Sequence, residues 1–246
     1  MSLQREMETS GSWLFRYRSF LPLLIVPAFL IRMTSFTYLG GSHEKTELWQ
    51  LVCLAVCFLG FSVRLKTAAH VPCGTSGRNT FSQVADTLNT TGIYSMVRHP
   101  LYLGNYLIVL GIAMFFRDAA FVAIVTCVFA LYYERIMLVE ESFLQAQFGQ
   151  EFEEWASVTP AFFPRLTGWR PSNLPFSWRS MVRREYTTLF IVIAIPAVED
   201  FIGDSVVQQR LYIDWRWMTA LGISAGVFFL CRFLKKQTNM LVAAGR

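Results

Sequence analysis

The feature that most constrains this chain is its succession of apolar runs, because a helix crossing a bilayer core needs about 20 apolar residues. The candidates are Phe20–Tyr38, Leu48–Leu65, Leu101–Phe116, Ala119–Tyr133, Leu189–Val198 and Met218–Phe233. The third and fourth are separated only by Arg117 and Asp118, which predicts a tight antiparallel helical hairpin. The fifth is the weakest, since Pro196, Glu199 and Asp200 cut it off. Composition agrees: 54% of the 246 residues are hydrophobic and 16% charged, against about 25% charged in a soluble domain. These runs predict an all-α integral membrane protein of about six transmembrane helices. Its polar pocket would be built from helix ends and loops.

The same counts exclude other classes. Five Cys is an odd number, and Cys53, Cys57, Cys127 and Cys231 lie inside apolar runs, so a secreted disulfide scaffold is ruled out. The apolar surplus rules out intrinsic disorder, and the length rules out a large multidomain enzyme. No cleavable leader is expected, because the N-terminus opens with polar Gln4, Arg5, Glu6 and Glu8. The chain divides into 1–66 with the N-terminal helices, 67–170 with the two long polar segments, and 171–246 with the C-terminal helices and tail.

Basic residues near span ends set orientation. With six spans, Arg5, Arg16 and Arg18, the group from Arg64 to Arg98, the arginines from Arg135 to Arg184, and Lys235 and Lys236 all fall on one face. That face is expected to be cytoplasmic, with both termini on it. The net charge of +5 suits anionic lipid headgroups. It gives no case for nucleic acid, since no soluble module interleaves basic and aromatic residues. Arg32, inside the first run, is costly at that depth unless it snorkels or functions.

If the helices anchor the protein, function belongs to the polar segments between them. The first is turn-rich, with Thr75 to Thr80 and Asn89 to Gly92, and ends in Tyr94-Ser95-Met96-Val97-Arg98-His99-Pro100-Leu101-Tyr102. A Pro in the first helical turn suits a helix start, so His99 stands at the mouth of the third span. The second segment repeats Ile136, Val139, Phe143, Leu144, Phe148 and Phe152 at helical spacing. The fourth span is therefore expected to run on well beyond the membrane. Glu140 and Glu141 lie on this extension, and the tight hairpin would return them to the side of His99. Read from spacing alone, Arg98 and His99 could equally be interfacial anchors, and the acidic run a solvated helix face.

The pattern Gly92-x-Tyr94-x-x-x-Arg98-His99-Pro100-x-Tyr102-x-Gly104, a helical hairpin, Glu140-Glu141 and Phe148-Gly149-x-x-Phe152 before Pro160 and Pro164 resembles the isoprenylcysteine carboxyl methyltransferase and phospholipid methyltransferase superfamily. The likeness covers about Asp86 to Pro164. It implies an integral membrane enzyme that moves a methyl group from S-adenosylmethionine to a lipid-borne group. It also implies that His99, Pro100, Leu101 and Tyr102 line the cofactor pocket. Leu88, Asn89 and Tyr94 would lie against the adenosine or amino-acid part, and Glu140 would match the family's cofactor-binding Glu. Glu141 stands beside it.

One departure concerns the acceptor. The prenylcysteine enzymes place a substrate-binding Arg one turn before that Glu, and here the position is Ile136. Arg135 is adjacent but about 100° away around an ideal helix. Arg78, Arg98 and Arg135 are the candidate anion partners, since a guanidinium meets phosphate or carboxylate with paired donors. An arginine-rich face favours a lipid phosphate acceptor, as in the similar bacterial lipid A phosphate methyltransferases. Prenylcysteine carboxylate and phospholipid amine acceptors stay open.

Displacement at a sulfonium needs alignment and water exclusion more than a general base. No Ser-His-Asp arrangement is legible. His43, His70 and His99 are scattered, so no metal is expected, and the Rossmann glycine fingerprint is absent. Two competing readings are an NADPH-dependent sterol-type reductase, which shares an Arg-His-Pro-x-Tyr-x-Gly element but places Glu where Asn105 stands, and a non-catalytic scaffold or small transporter.

Overall fold

A computed structural model describes residues 3–18, 20–72, 84–243 and 245. Arg78 and the Thr75–Thr80 turn lie outside these residues. The described chain is helical: α1 (Leu3–Tyr17), α2 (Val26–Met33), α3 (His43–His70), α4 (Pro100–Met114), α5 (Ala119–Phe148), α6 (Gln150–Val158), α7 (Trp178–Gln208) and α8 (Trp215–Gln237). Short polar side chains set the starts. Ser42 accepts from Lys45 N, Asp118 from Phe121 N, Ser177 from Ser180 N and Asp214 from Arg216 N, which satisfies donors that a helix N-terminus leaves orphaned. Gly149, at φ 52°, ends α5.

Among the described residues, α3, α5 and α8 are long and apolar enough to cross a membrane. The helix α4 is apolar but has 15 residues, about 22 Å at the α-helical rise. The first predicted span resolves into a 3-10 turn and the eight-residue α2. The fifth differs most from expectation. Pro196 does not stop it, and α7 runs 31 residues through Glu199 and Asp200 to Gln208. Three of its acids find partners on α3. Glu185 pairs with Arg64, Asp200 accepts from Gln50 at 2.7 Å, and Asp204 meets His43 at 3.1 Å. Arg32 is likewise paired, with Asp118 of the hairpin turn at 3.2 Å.

The centre of the bundle is the α3–α4 seam. A Cβ on Gly60 would lie 2.5 Å from Gly104 O, and one on Gly111 would lie 2.5 Å from Cys57 Sγ. Small residues at these positions let the backbones approach closely, as membrane helix pairs require. Cys57, Phe61, Ile108, Ile112 and Val192 form the adjoining apolar core, which ties α7 to the seam. The hairpin is present as expected: residues 115–118 join α4 to α5, and α5 continues unbroken for 30 residues, about 45 Å. That length carries Glu140 and Glu141 back beside the start of α4.

Candidate active site

The segment before α4 is held by backbone pairing rather than by regular structure. Arg98 N donates to Pro160 O at 2.9 Å, His99 N to Ala161 O at 3.2 Å, and Arg165 N to Met96 O at 2.9 Å. Gly92, at φ 61°, bridges to Arg170, and Trp155 Nε1 donates to Tyr94 O at 3.0 Å. The loop after α6 therefore clamps the loop before α4. Pro100 then opens the helix and is itself fully buried.

This clamp fixes His99 between two carboxylates. Its Nε2 lies 2.8 Å from Glu141 Oε1 and its Nδ1 3.5 Å from Glu140 Oε2. The ring is buried and stacks on Tyr102, with centroids 5.6 Å apart. Burial alone pushes the imidazole pKa down, but hydrogen bonds to Glu140 and Glu141 and their fields outweigh it and hold His99 above its ordinary value. Tyr102 OH donates to Glu140 Oε1 at 2.5 Å. Arg98 Nε sits 3.2 Å from Glu141 Oε1, yet its N–H is misaligned and makes no hydrogen bond among the described residues. It is an ion pair without a directed bond. Tyr94 lies within the field of Glu140, and burial, then that charge, raise its hydroxyl pKa.

The cluster extends to groups that sequence spacing did not mark. Arg18, just past the end of α1, reaches Glu140 Oε1 at 3.5 Å. Tyr133 packs on Tyr102 at 4.6 Å between centroids and accepts from Asn105 at 3.0 Å. Asn105 in turn accepts from Arg64 at 2.5 Å, and Arg64 forks onto Glu185 at 2.8 and 2.9 Å. Four helices (α3, α4, α5 and α7) and the residue just past α1 thus meet through these contacts.

Among the sequence candidates, Arg98, His99, Tyr102, Glu140 and Glu141 come together, with Tyr94 beside them. Leu101 is half-buried on the first turn of α4, and Leu88 and Asn89 are half-buried in the preceding loop. Arg135 stands apart: Ile136 is fully buried, which turns Arg135 outward onto Ser10 of α1 at 3.3 Å. A cavity of about 500 Å³ opens at the clamp, lined by Ser95, Glu154, Trp155, Thr159, Arg165 and Arg170 among others. Neither His99 nor Glu140 lines it. No group of three or more metal-ligating side chains occurs among the described residues.

The phospholipid methyltransferase family pattern matches residues 48–151, the stretch holding α3, the clamp's first loop, α4 and α5. A nickel-cobalt-cadmium resistance protein, NccN, of Alcaligenes xylosoxydans xylosoxydans is 33% identical over 66% of this chain and 71% of its own length. A cobalt-zinc-cadmium resistance protein, CzcN, of Cupriavidus metallidurans is 45% identical over 35% of this chain, which spans only 39% of that relative. A protein-S-isoprenylcysteine O-methyltransferase of Schizosaccharomyces pombe is 28% identical over 46% of this chain and 49% of its own. No solved structure matches. The chain belongs to the isoprenylcysteine carboxyl methyltransferase and phospholipid methyltransferase superfamily.

Proposed function

We propose that the protein is a multi-pass membrane enzyme that transfers a methyl group from S-adenosylmethionine to an oxyanion on a membrane lipid, at a site facing the cytoplasm. The observation that carries this reading is the closed cluster of His99, Tyr102, Glu140 and Glu141 at the mouth of α4. The donor set suits the cofactor. Two adjacent carboxylates can accept from an ammonium and from ribose hydroxyls, and the buried Arg98 Nε has no directed acceptor of its own. The neighbouring cavity of about 500 Å³ falls within the range of about 300–1,000 Å³ usual for cofactor-sized ligands. It shares Ser95 and Thr159 with the clamping segments.

When bound, S-adenosylmethionine would supply an electrophilic methyl on a sulfonium whose leaving group is a neutral thioether. The protein's share is positional. Glu140 and Glu141 hold the amino-acid end and the ribose, Arg98 pairs with the carboxylate, and the Tyr102–His99 stack keeps Glu140 in register. Tyr94, with Leu88 and Asn89, supplies the adenosine side. Pro100 and Leu101 shape the pocket wall, as the family pattern implies. No proton need be removed from an acceptor already anionic, so alignment and exclusion of water supply the rate.

The family match supports methyl transfer over the NADPH-dependent reductase and scaffold readings. Arginines gathered at the cluster's end of the bundle favour a cytoplasmic site and six passes, with α2, α4 and α7 completing the three long spans. The absence of Arg at position 136 favours a phosphate, of the lipid A type, over prenylcysteine. The S. pombe relative keeps the prenylcysteine carboxylate as the second reading. The test is transfer of labelled methyl from S-adenosylmethionine into lipid extracts by the detergent-purified protein. Label in an acidic lipid supports the reading, label in an amine headgroup moves the acceptor, and no label in any lipid overturns it.

A further inference from the structure

We propose that Arg18 and the Tyr132 hydroxyl form the cradle that recognises the acceptor's oxyanion on a membrane-borne lipid; this rests on the methyl-transfer reading above. The α1 helix lies outside the family-matched span 48–151, yet it packs along α5. Gly11 sits against Arg135 O, and Ser142 donates to Glu8 at 3.3 Å. This docking delivers Arg18 to the cluster. Its guanidinium carbon lies 4.0 Å from the ring centre of buried Phe15, so an aromatic face backs the planar group and limits its wandering. The side chain is 19% exposed, shielded enough that its charge is poorly screened yet still open on one side.

Arg18 does not dominate Glu140. Tyr102 OH holds the same oxygen at 2.5 Å, while Arg18 approaches at 3.5 Å, the edge of hydrogen-bonding range. An incoming oxyanion can share or take over such a contact. Tyr132 packs edge-on against Tyr133 at 5.0 Å between centroids, beside the Tyr102 that holds Glu140, and its OH is buried with no hydrogen-bond partner among the described residues. A buried hydroxyl without a partner is unfavourable, and a bound acceptor would satisfy it. A guanidinium at this position attracts an oxyanion and repels a cationic amine headgroup.

The surface beside Arg18 favours a ligand drawn from the membrane rather than from solution. Phe20, Leu23, Leu24, Leu30 and Ile31 are exposed along the next turn and α2, so Arg18 sits where a lipid-facing surface begins. A guanidinium there meets headgroup phosphates or carboxylates at the depth they occupy.

The test uses the full chain in neutral detergent, saturated with S-adenosylhomocysteine. Binding of dioleoyl phosphatidic acid, N-acetyl-S-farnesylcysteine, phosphatidylethanolamine, phosphatidylcholine and inorganic phosphate is followed by tryptophan fluorescence. One anionic lipid should bind better than phosphatidylcholine, with phosphatidic acid and the farnesylcysteine deciding between phosphate and carboxylate. Arg18→Gln should weaken it at least tenfold, Arg18→Lys should recover part of the loss, and Tyr132→Phe should weaken it several-fold. S-adenosylhomocysteine affinity should fall by less than lipid affinity in all three, and Arg16→Gln, on the exposed side of α1, should match wild type. Equal loss with Arg16→Gln would reduce the effect to surface charge and overturn the cradle. So would wild-type affinity in Arg18→Gln, phosphate binding as tight as the lipid, or wild type preferring neither anion. Failure of wild type to bind S-adenosylhomocysteine would sink the methyl-transfer reading instead, while Arg18-dependent lipid binding would leave the cradle standing.

Discussion

Replacing Glu185 with Leu should strip a buried arginine of its main partner. Arg64 and Glu185 are joined by two bonds of 2.8 and 2.9 Å, with side chains 14% and 4% exposed. Removing one member of such a buried pair costs about 3–5 kcal/mol, mostly as the penalty on the charge left behind. Asn105 still accepts from Arg64, which places the expected loss near the lower end, about 3 kcal/mol. For a chain of this size that is a fall of about 6–12 °C in Tm. The double variant Arg64→Met, Glu185→Leu should recover most of it, because neither charge then needs a partner. Thermal unfolding in detergent of both single variants and the double gives the coupling energy directly. A single-variant loss below about 1 kcal/mol, or a double variant that loses the sum of the two, would refute α7's docking onto the site through this pair.

Other consequences are open to similar checks. Wild type should lose its stability advantage over His99→Gln as pH rises from about 6.5, because the raised folded-state pKa of His99 makes its contribution complete below the unfolded value and lost above the folded one. A gap that widened with pH in thermal scans from about pH 6 to 9 would contradict this. Gly60→Ala should cost about 1–3 kcal/mol by overpacking against Gly104 O, whereas Gly222→Ala in α8, with open space around it, should cost nothing; equal Tm values would refute the close seam. Glu199→Met should be stabilising by about 1–3 kcal/mol, since both carboxylate oxygens are buried without a partner among the described residues; a lower Tm would show that Glu199 has a role its surroundings do not reveal.

Much of the site was legible because its members are close in sequence or joined by one hairpin. His99, Pro100 and Tyr102 are near neighbours at a helix start, and the short 115–118 link forces α5 back past them to bring Glu140 and Glu141 near. What local pattern could not show was the partner of each charge. Glu199 and Asp200 looked like the end of a span, because periodicity does not tell whether an acid faces lipid or a neighbouring helix; α3 supplies Gln50 to Asp200 150 residues away. Arg32 looked like a buried cost until Asp118, 86 residues on, was placed beside it. Arg18 was read only as a topological charge, and nothing within α1 announces Glu140, 122 positions later. Arg135 is the nearest arginine to the expected place in sequence, but on a helix adjacent positions diverge by about 100°, and with Ile136 buried it points out onto Ser10 of α1.

The central claim is that Glu140, with Tyr102 and His99, holds the methyl donor. Titration calorimetry of S-adenosylhomocysteine into the detergent-purified full chain, with wild type, Glu140→Gln and Arg135→Gln side by side, tests it most directly. The account predicts saturable one-to-one binding to wild type, unchanged affinity in Arg135→Gln, and at least a tenfold loss in Glu140→Gln with the cooperative unfolding transition retained. Wild-type affinity in Glu140→Gln, or no heat of binding in any of the three, would contradict it.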